Sequence, residues 1–231
     1  MLHLLVSELN SLANPEQAKI LQRFFKTSEG EYGEGDIFLG IKVPAQRKIA
    51  KKYTGLSLVK IQKLLESEIH EHRLTGILIL VDKFKKSKEE ERGNIFNFYI
   101  KNTKNINNWD LVDLGAPNIV GEFLSDKKKG ILYELAESKN IWEKRIAIIS
   151  TMSFIRKGEY KDALRISEIL LNDKHDLIHK AVGWMLREIG KKDIETEKEF
   201  LKKHYKKMPR TMLRYAIEKF PEKERQHWMK K

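Results

Sequence analysis

The chain of 231 residues has 45 lysines and arginines against 33 aspartates and glutamates, a formal net charge of +12, and no cysteine. The charge favours a polyanionic partner, although soluble proteins without one also reach such values. The lack of cysteine excludes disulfides, thiolate nucleophiles, cysteine-bound zinc and iron–sulfur clusters, so any catalysis must use carboxylates or bases.

Apolar residues recur at spacings of three and four along nearly the whole chain, which predicts an all-α protein without strands. The predicted helices comprise residues 2–13, 15–26, 44–53, 57–65, 71–84, 89–102, 109–114, 117–124, 127–137, 141–154, 160–171, 176–190, 193–205 and 209–220. Paired helices with a period of roughly 35–40 residues indicate a HEAT-like repeat solenoid, an α-α superhelix with a concave groove. No linker rich in serine, glycine or proline divides it, so we expect residues 1–231 to form a single HEAT-like repeat domain.

The first ten residues lack both the basic start and the small-residue cleavage site of a secretion signal. No apolar run approaches the roughly 20 residues that span a bilayer. We therefore expect a cytoplasmic protein with no membrane partner. A monomer is the default for a solenoid whose groove must stay open.

Residues 28–43 interrupt the helical pattern with Gly30, Gly33, Gly35 and Gly40. A phosphate-binding P-loop is disfavoured, because no strand precedes the segment and no Gly-Lys-Ser/Thr follows it. The segment is therefore interpreted as a shaped loop.

Two histidine pairs are candidate metal ligands. His70 and His72 lie two apart and would point to different sides of a helix, so we expect them on the surface. His175 and His179 lie four apart, but the glutamate that follows the first histidine of a zinc protease helix is missing, as is a third ligand. We expect no metal site and no cofactor.

Residues 105–121 contain the first candidate for chemistry. Trp109 and Asp113 lie four residues apart, so a helical turn places an indole and a carboxylate on one face. The alternative is an ordinary helix start, in which Asn108 is the cap and Asp110 interacts with the helix dipole. That alternative explains Asp110 well and explains Trp109 and Asp113 less well.

Arg145 falls inside the apolar sector of the helix predicted at 141–154. Burying an unpaired guanidinium would cost several kcal/mol, so a partner is required. Either a carboxylate of the preceding repeat pairs with it, or it opens into the groove and meets a phosphate; the sequence leaves both open.

The two faces of the helix predicted at 176–190 differ in an unusual way. The core-facing stripe comprises Ile178, Val182, Met185 and Ile189. The opposite stripe comprises Lys180, Trp184, Arg187 and Lys191. A tryptophan among cations favours a surface that packs against the sugars of a polyanion. The alternative is packing against a neighbouring helix, with the lysine and arginine stems covering the indole.

Four separated motifs carry a family resemblance. Residues 38–44 (FLGIKVP), 108–113 (NWDLVD), 141–147 (IWEKRIA) and 181–188 (AVGWMLRE) occur in this order. Together they resemble the AlkD-type DNA alkylation repair family, alkylpurine DNA glycosylases built from HEAT-like repeats. The resemblance extends over about residues 15–220 and implies an all-α solenoid with a basic concave groove for duplex DNA.

The resemblance also implies roles for individual residues. Trp109 and Trp184 would be the two groove tryptophans that contact the damaged nucleotide, and Asp113 would be the catalytic carboxylate. The expected DNA-binding residues are Arg145, which would bind phosphate beside the lesion, Arg187, Lys180 and Arg23.

The implied activity is the excision of cationic N3- or N7-alkylated purines from double-stranded DNA, through an oxocarbenium-like state and without a cofactor. The protein would then be associated with the nucleoid when bound to DNA. One alternative is a non-catalytic DNA-binding relative that lacks a helix near the N terminus; residues 15–26 could supply such a helix. A second alternative is a protein-binding scaffold.

Overall fold

The computed structural model describes residues 1–230, which are almost entirely helical. Within these residues no strand occurs, apart from an isolated bridge between Ile37 and Ile69, so the all-α prediction is confirmed. The helices are α1 (Leu2–Asn10), α2 (Pro15–Phe24), α3 (Val43–Lys52), α4 (Leu58–Leu65), α5 (His70–Lys86), α6 (Glu89–Lys101), α7 (Trp109–Gly115), α8 (Glu122–Leu124), α9 (Gly130–Ala136), α10 (Ile141–Ser150), α11 (Met152–Arg156), α12 (Lys161–Ile169), α13 (Asp176–Gly190), α14 (Ile194–His204), α15 (Arg210–Ala216) and α16 (Glu222–Met229).

The helix predicted at 141–154 is divided into α10 and α11. At the division, Ser150 Oγ donates to the Ile146 carbonyl and Thr151 Oγ1 donates to the Ile148 carbonyl, each at 2.6 Å. Hydroxyl groups that bond to preceding carbonyls compete with helical hydrogen bonds and bend helices. The helix predicted at 117–124 also differs, since it is a π-helical segment, Ala116–Gly121, followed by α8. Helix α16 was not predicted.

The chain divides into two compact units, residues 1–115 and a second unit that begins at Ala116. In the first unit α5 packs against α3, α4 and α7. Most of α5 is buried, and Ile77, Ile79 and Leu80 are fully inaccessible. Helix α5 is therefore the core of this unit and the support for α7.

In the second unit α13 packs against α10, α14 and α15. Its predicted core-facing stripe is confirmed, because all four apolar residues of that stripe are fully buried. Gly183 allows close contact with α15, since a Cβ atom there would lie 2.4 Å from the Met212 carbonyl oxygen and 2.5 Å from Tyr215 Cβ. The glycine before Trp184 is therefore required by packing.

Replacing Gly183 by alanine is expected to lower the free energy of unfolding by about 1–3 kcal/mol, because the added methyl group overpacks the contact between α13 and α15. Helix propensity alone would have the opposite effect, since it favours alanine over glycine by about 1 kcal/mol. Urea denaturation measures the change. Gly130→Ala is the control, since its Cβ would meet no atom within 4 Å, and it should be neutral or slightly stabilising. Equal stability changes in the two variants would contradict the close packing.

Candidate functional site

Helix α7 carries the first predicted pair. Trp109 is its first residue and Asp113 follows one turn later, and both side chains are half-buried. The Asn108 side-chain oxygen accepts the Trp109 backbone N–H at 2.8 Å, a bond to the first residue of α7 and not to the second or third, as in a regular cap. The start of α7 is thus fixed directly at the tryptophan.

Aromatic rings from the end of α2 contact the Trp109 indole. Phe25 stacks on it with a centroid distance of 5.0 Å and an interplanar angle of 12°, and Phe24 meets it edge-on at 5.8 Å. Phe25 therefore covers one face of the indole, which restricts the direction from which a ligand can stack on Trp109.

Tyr99 of α6 lies against the same helix. A Cβ atom at Gly115 would lie 2.5 Å from the Tyr99 ring, so the glycine allows α7 to approach it closely. Complete burial, and secondarily the negative charge of Asp113, raise the pKa of the Tyr99 phenol. The phenol therefore stays neutral and adds no second negative charge near Asp113.

A cluster of charged groups lies beneath the first turn of α7. His70 Nδ1 is 3.0 Å from Asp36 Oδ2, and its Nε2 is 2.8 Å from Asp110 Oδ2. Arg73 Nη2 donates to the other oxygen of Asp36, and Asn108 Nδ2 donates to Asp36 Oδ2 at 3.1 Å. Two carboxylates thus share one imidazole, and a guanidinium balances the charge.

The protonation of this cluster follows from its geometry. Burial alone would lower the pKa of His70, but the charge of Asp110 and the hydrogen bonds to both carboxylates outweigh burial and raise it to about 9. For Asp36, burial opposes ionisation, while His70, Arg73 and Asn108 together lower its pKa. At neutral pH the cluster is an imidazolium between ionised carboxylates, and the buried charges compensate one another.

The prediction that His70 and His72 lie on the surface is wrong. Their exposed fractions are only 1% and 6%. The His72 ring lies 2.9 Å from the Ser67 hydroxyl through Nδ1. The physical reason is that α5 is enclosed on all sides at its N-terminal end, so neither side of the helix faces solvent there.

The glycine-rich segment is a shaped loop, as predicted, and it is bound to α5. The buried carboxylate of Glu71 accepts the backbone N–H groups of Leu39, Gly40 and Ile41 at 2.9, 2.8 and 3.1 Å. Gly40 has φ +85°, and a Cβ atom there would lie 2.1 Å from the Asn14 carbonyl oxygen, so only glycine fits. The loop is therefore held between α2 and α5.

Arg145 lies in the second unit and is buried. Its Nη1 donates to the Leu177 carbonyl oxygen at 2.6 Å, in the first turn of α13. The guanidinium thus connects α10 to the helix that carries Trp184. Its expected contact with DNA phosphate stays a prediction.

Trp184 is half-buried on α13. Its indole Nε1 donates to Glu188 Oε1 at 3.1 Å, and the same oxygen binds Lys191. A cleft of about 300 Å³ opens beside the ring. The residues that line it are Met152, Ile155, Arg156, Trp184, Glu188, Lys191 and Lys192. The indole, two apolar side chains and three cations would suit a sugar with its phosphate.

The other expected DNA-binding residues differ in their surroundings. Arg187 forms an ion pair with Glu218 and its side chain is only 16% exposed. Lys180 pairs with Asp176 at 2.7 Å. Both would have to exchange a carboxylate for a phosphate. Arg23 lies exposed on α2, and within residues 1–230 no ion pair involves it.

The described part of the chain contains no cluster of three or more acidic or histidine side chains that could hold a metal ion. His175 is the cap of α13 and accepts the Leu177 N–H, while His179 Nε2 lies 2.6 Å from the Asp173 carbonyl oxygen. Among residues 1–230, no helix is long and apolar enough to cross a membrane.

The sequence profile of a family described as DNA alkylation repair enzyme matches residues 5–220. The chain is similar to the solved structure of a predicted DNA alkylation repair enzyme from Enterococcus faecalis, with 17% identity, a TM-score of 0.73, and coverage of 91% of this chain and 97% of that chain. It is also similar to AlkD2 from Streptococcus mutans, with 19% identity, a TM-score of 0.56, and coverage of 90% and 99%. No curated protein matches the chain. The predicted helical-repeat fold class is confirmed.

Proposed function

Since the chain belongs to the family of DNA alkylation repair enzymes, we propose that it is a DNA glycosylase that excises cationic N3- or N7-alkylated purines from duplex DNA. The observation that carries the proposal is the pair on α7, where Trp109 and Asp113 lie one turn apart and half-buried. We expect the protein to act as a monomer, at the nucleoid and without a cofactor.

The reaction breaks the C1′–N bond of the damaged nucleotide. An alkylated purine already carries a positive charge, so the base leaves as a neutral molecule and needs little acid catalysis. The sugar becomes oxocarbenium-like, and the Asp113 carboxylate stabilises it and orients the water that adds to C1′. The faces of Trp109 and Trp184 contribute cation–π contacts of about 0.5–2 kcal/mol each.

A base-release assay tests the proposal. The purified protein is incubated with duplex DNA containing 3-methyladenine or 7-methylguanine, and the free base is quantified against an undamaged duplex of the same sequence. Release of the alkylated base supports the glycosylase. Binding of DNA without any release would instead indicate the non-catalytic alternative.

A cleft of about 250 Å³ in the first unit supplies further cations for DNA binding. Arg47 and Lys51 of α3 and Lys85 of α5 line it, and within the described residues none of these three has an ion pair. Asp82 also lines the cleft, and its carboxylate pairs with Lys86 at 2.6 Å. Affinity for DNA falls as salt rises, and the logarithm of the association constant is linear in the logarithm of the salt concentration. Replacing all three residues by glutamine is expected to make this slope less steep by about 0.9 for each phosphate contact that is lost. Titrations of an undamaged duplex at several salt concentrations measure the slope.

The matched control replaces Lys202, Lys203 and Lys207 by glutamine. This variant has the same change in net charge on another exposed surface. Equal slopes in the two variants would show that only the overall charge matters and would contradict contacts in the cleft. Weak salt dependence of the wild-type protein itself would favour the scaffold alternative.

A further inference from the structure

The charged cluster of Asp36, His70 and Asp110 has no part in the chemistry proposed above. We infer that it positions α7, and through α7 the Trp109 indole and the Asp113 carboxylate, for base release. These three are positioning residues, since they act through the helix. The inference rests on the proposed function and adds to it the means by which the site is held in place.

Hydrogen bonds connect the backbone at the start of α7 to the charged cluster. Asp36 Oδ2 accepts a hydrogen bond from the Asn108 side-chain amide, and the oxygen of the same amide accepts the Trp109 N–H. Asp110, the next residue, is bonded to His70. The backbone on both sides of Trp109 is therefore connected to a single buried imidazole and its carboxylate partner.

Packed rings also connect His70 to Trp109. Phe38 stacks on the His70 imidazole at 4.5 Å with an interplanar angle of 21°. Phe25 contacts His70, Phe38 and Trp109, each at a centroid distance of 5.0 Å. A continuous series of rings thus links the imidazole to the indole, and a shift of His70 would be transmitted to Trp109 by side chains as well as by the backbone.

The glycine-rich loop supplies Asp36 to the cluster. Gly35, with φ +82°, immediately precedes the aspartate, so the chain turns inward at this point. Arg73 holds the second oxygen of Asp36, and its Nη1 also donates to the Ser67 carbonyl oxygen at 2.7 Å. The loop therefore provides a fixed anchor for the start of α7.

Buried ion networks are weak evidence for stability, because apolar residues of similar volume often stabilise a protein equally well. Charged hydrogen bonds differ from apolar contacts in being directional. Catalytic groups must be held within about 0.5 Å of the productive geometry, and a displacement of about 1 Å can cost roughly 100-fold in rate. A directional network beneath Trp109 and Asp113 meets this requirement.

The variant Asp110→Asn tests the inference, since asparagine keeps the shape of the side chain and removes its charge. We expect kcat for 7-methylguanine release to fall by about 10- to 100-fold, with KM and the Kd for undamaged duplex within about twofold. Asp162→Asn is the matched control. Asp162 accepts a hydrogen bond from the Tyr133 hydroxyl at 2.5 Å in the second unit, and its replacement should leave kcat unchanged.

A pH profile separates positioning from general stabilisation. The charged groups facing His70 are Asp36 from the loop, Asp110 from α7 and Arg73 from α5. Wild-type kcat should fall as the pH rises through about 9, where the His70 imidazolium loses its proton. Without the charge of Asp110 the pKa of His70 is lower, so kcat of Asp110→Asn should begin to fall at a lower pH than that of the wild type. In Asp162→Asn, kcat should fall at the same pH as in the wild type.

A measurement independent of activity distinguishes failure of this inference from failure of the proposed function. The protein has four tryptophans, and incorporation of 5-fluorotryptophan gives each a ¹⁹F resonance that single Trp→Phe variants assign. Asp110→Asn should shift the Trp109 resonance and leave that of Trp184 in place. An unchanged Trp109 resonance with unchanged kcat would overturn the inference. A shifted resonance in a protein that releases no base would support the positioning and reject the glycosylase.

Discussion

Replacing Asp113 by asparagine is expected to lower the rate of 7-methylguanine release by about 10²- to 10³-fold, the usual cost of removing a group that stabilises charge in a transition state. Asparagine keeps the size of the side chain but has no negative charge to place beside the developing cation on the sugar. The Kd for undamaged duplex should stay within about twofold, because the charge matters in the transition state and not in the ground state. Single-turnover base release and DNA titration measure the two quantities.

Asp126→Asn is the control for this experiment, since it makes the same charge change at a side chain that is 81% exposed and paired with Lys127. It should release base at the wild-type rate. Equal rates for wild type and Asp113→Asn would show that Asp113 is not the catalytic carboxylate. A fall in the rate that only mirrored weaker DNA binding would assign Asp113 to binding.

The sequence predicted α13 and its two faces well, because the helical period reflects burial on one side. Ile178, Val182, Met185 and Ile189 are all fully buried, and Trp184 is half-buried beside an open cleft. The ends of helices were less predictable. They depend on side-chain hydroxyls and caps, as at the break after Ser150. The spacing of apolar residues does not predict such interactions.

The charged cluster beneath α7 was not predicted, because its partners are far apart in sequence. Asp36 and His70 are separated by 34 residues, and Asp36 and Asn108 by 72. Locally, residues 70–73 (HEHR) have the composition of a solvated surface. One signal was available, since residues 74–81 (LTGILILV) are apolar on every side, and such a helix is buried all round. Charged residues that begin a buried helix can be expected to be buried with it.

Replacing Glu71 by glutamine is expected to lower the free energy of unfolding by about 2–4 kcal/mol, since hydrogen bonds to a charged acceptor contribute roughly 1.5–3 kcal/mol each. One carboxylate oxygen accepts the N–H of Leu39, and the other accepts those of Gly40 and Ile41. Glutamine offers a single acceptor oxygen, so its NH₂ group must face at least one of these N–H donors. Urea denaturation of the two proteins measures the change.

Glu68→Gln is the matched control, because it removes the same charge from an exposed side chain in the bend just before α5, and it should leave the free energy of unfolding unchanged. Equal effects of the two substitutions would show that net charge, and not the three hydrogen bonds, determines the result. The loop that Glu71 holds also contains Asp36, which anchors the start of α7 through Asn108. Folded Glu71→Gln protein should therefore release base more slowly than wild type while binding undamaged duplex equally well. This result would link the glycine-rich loop to catalysis without any contact between that loop and the damaged base.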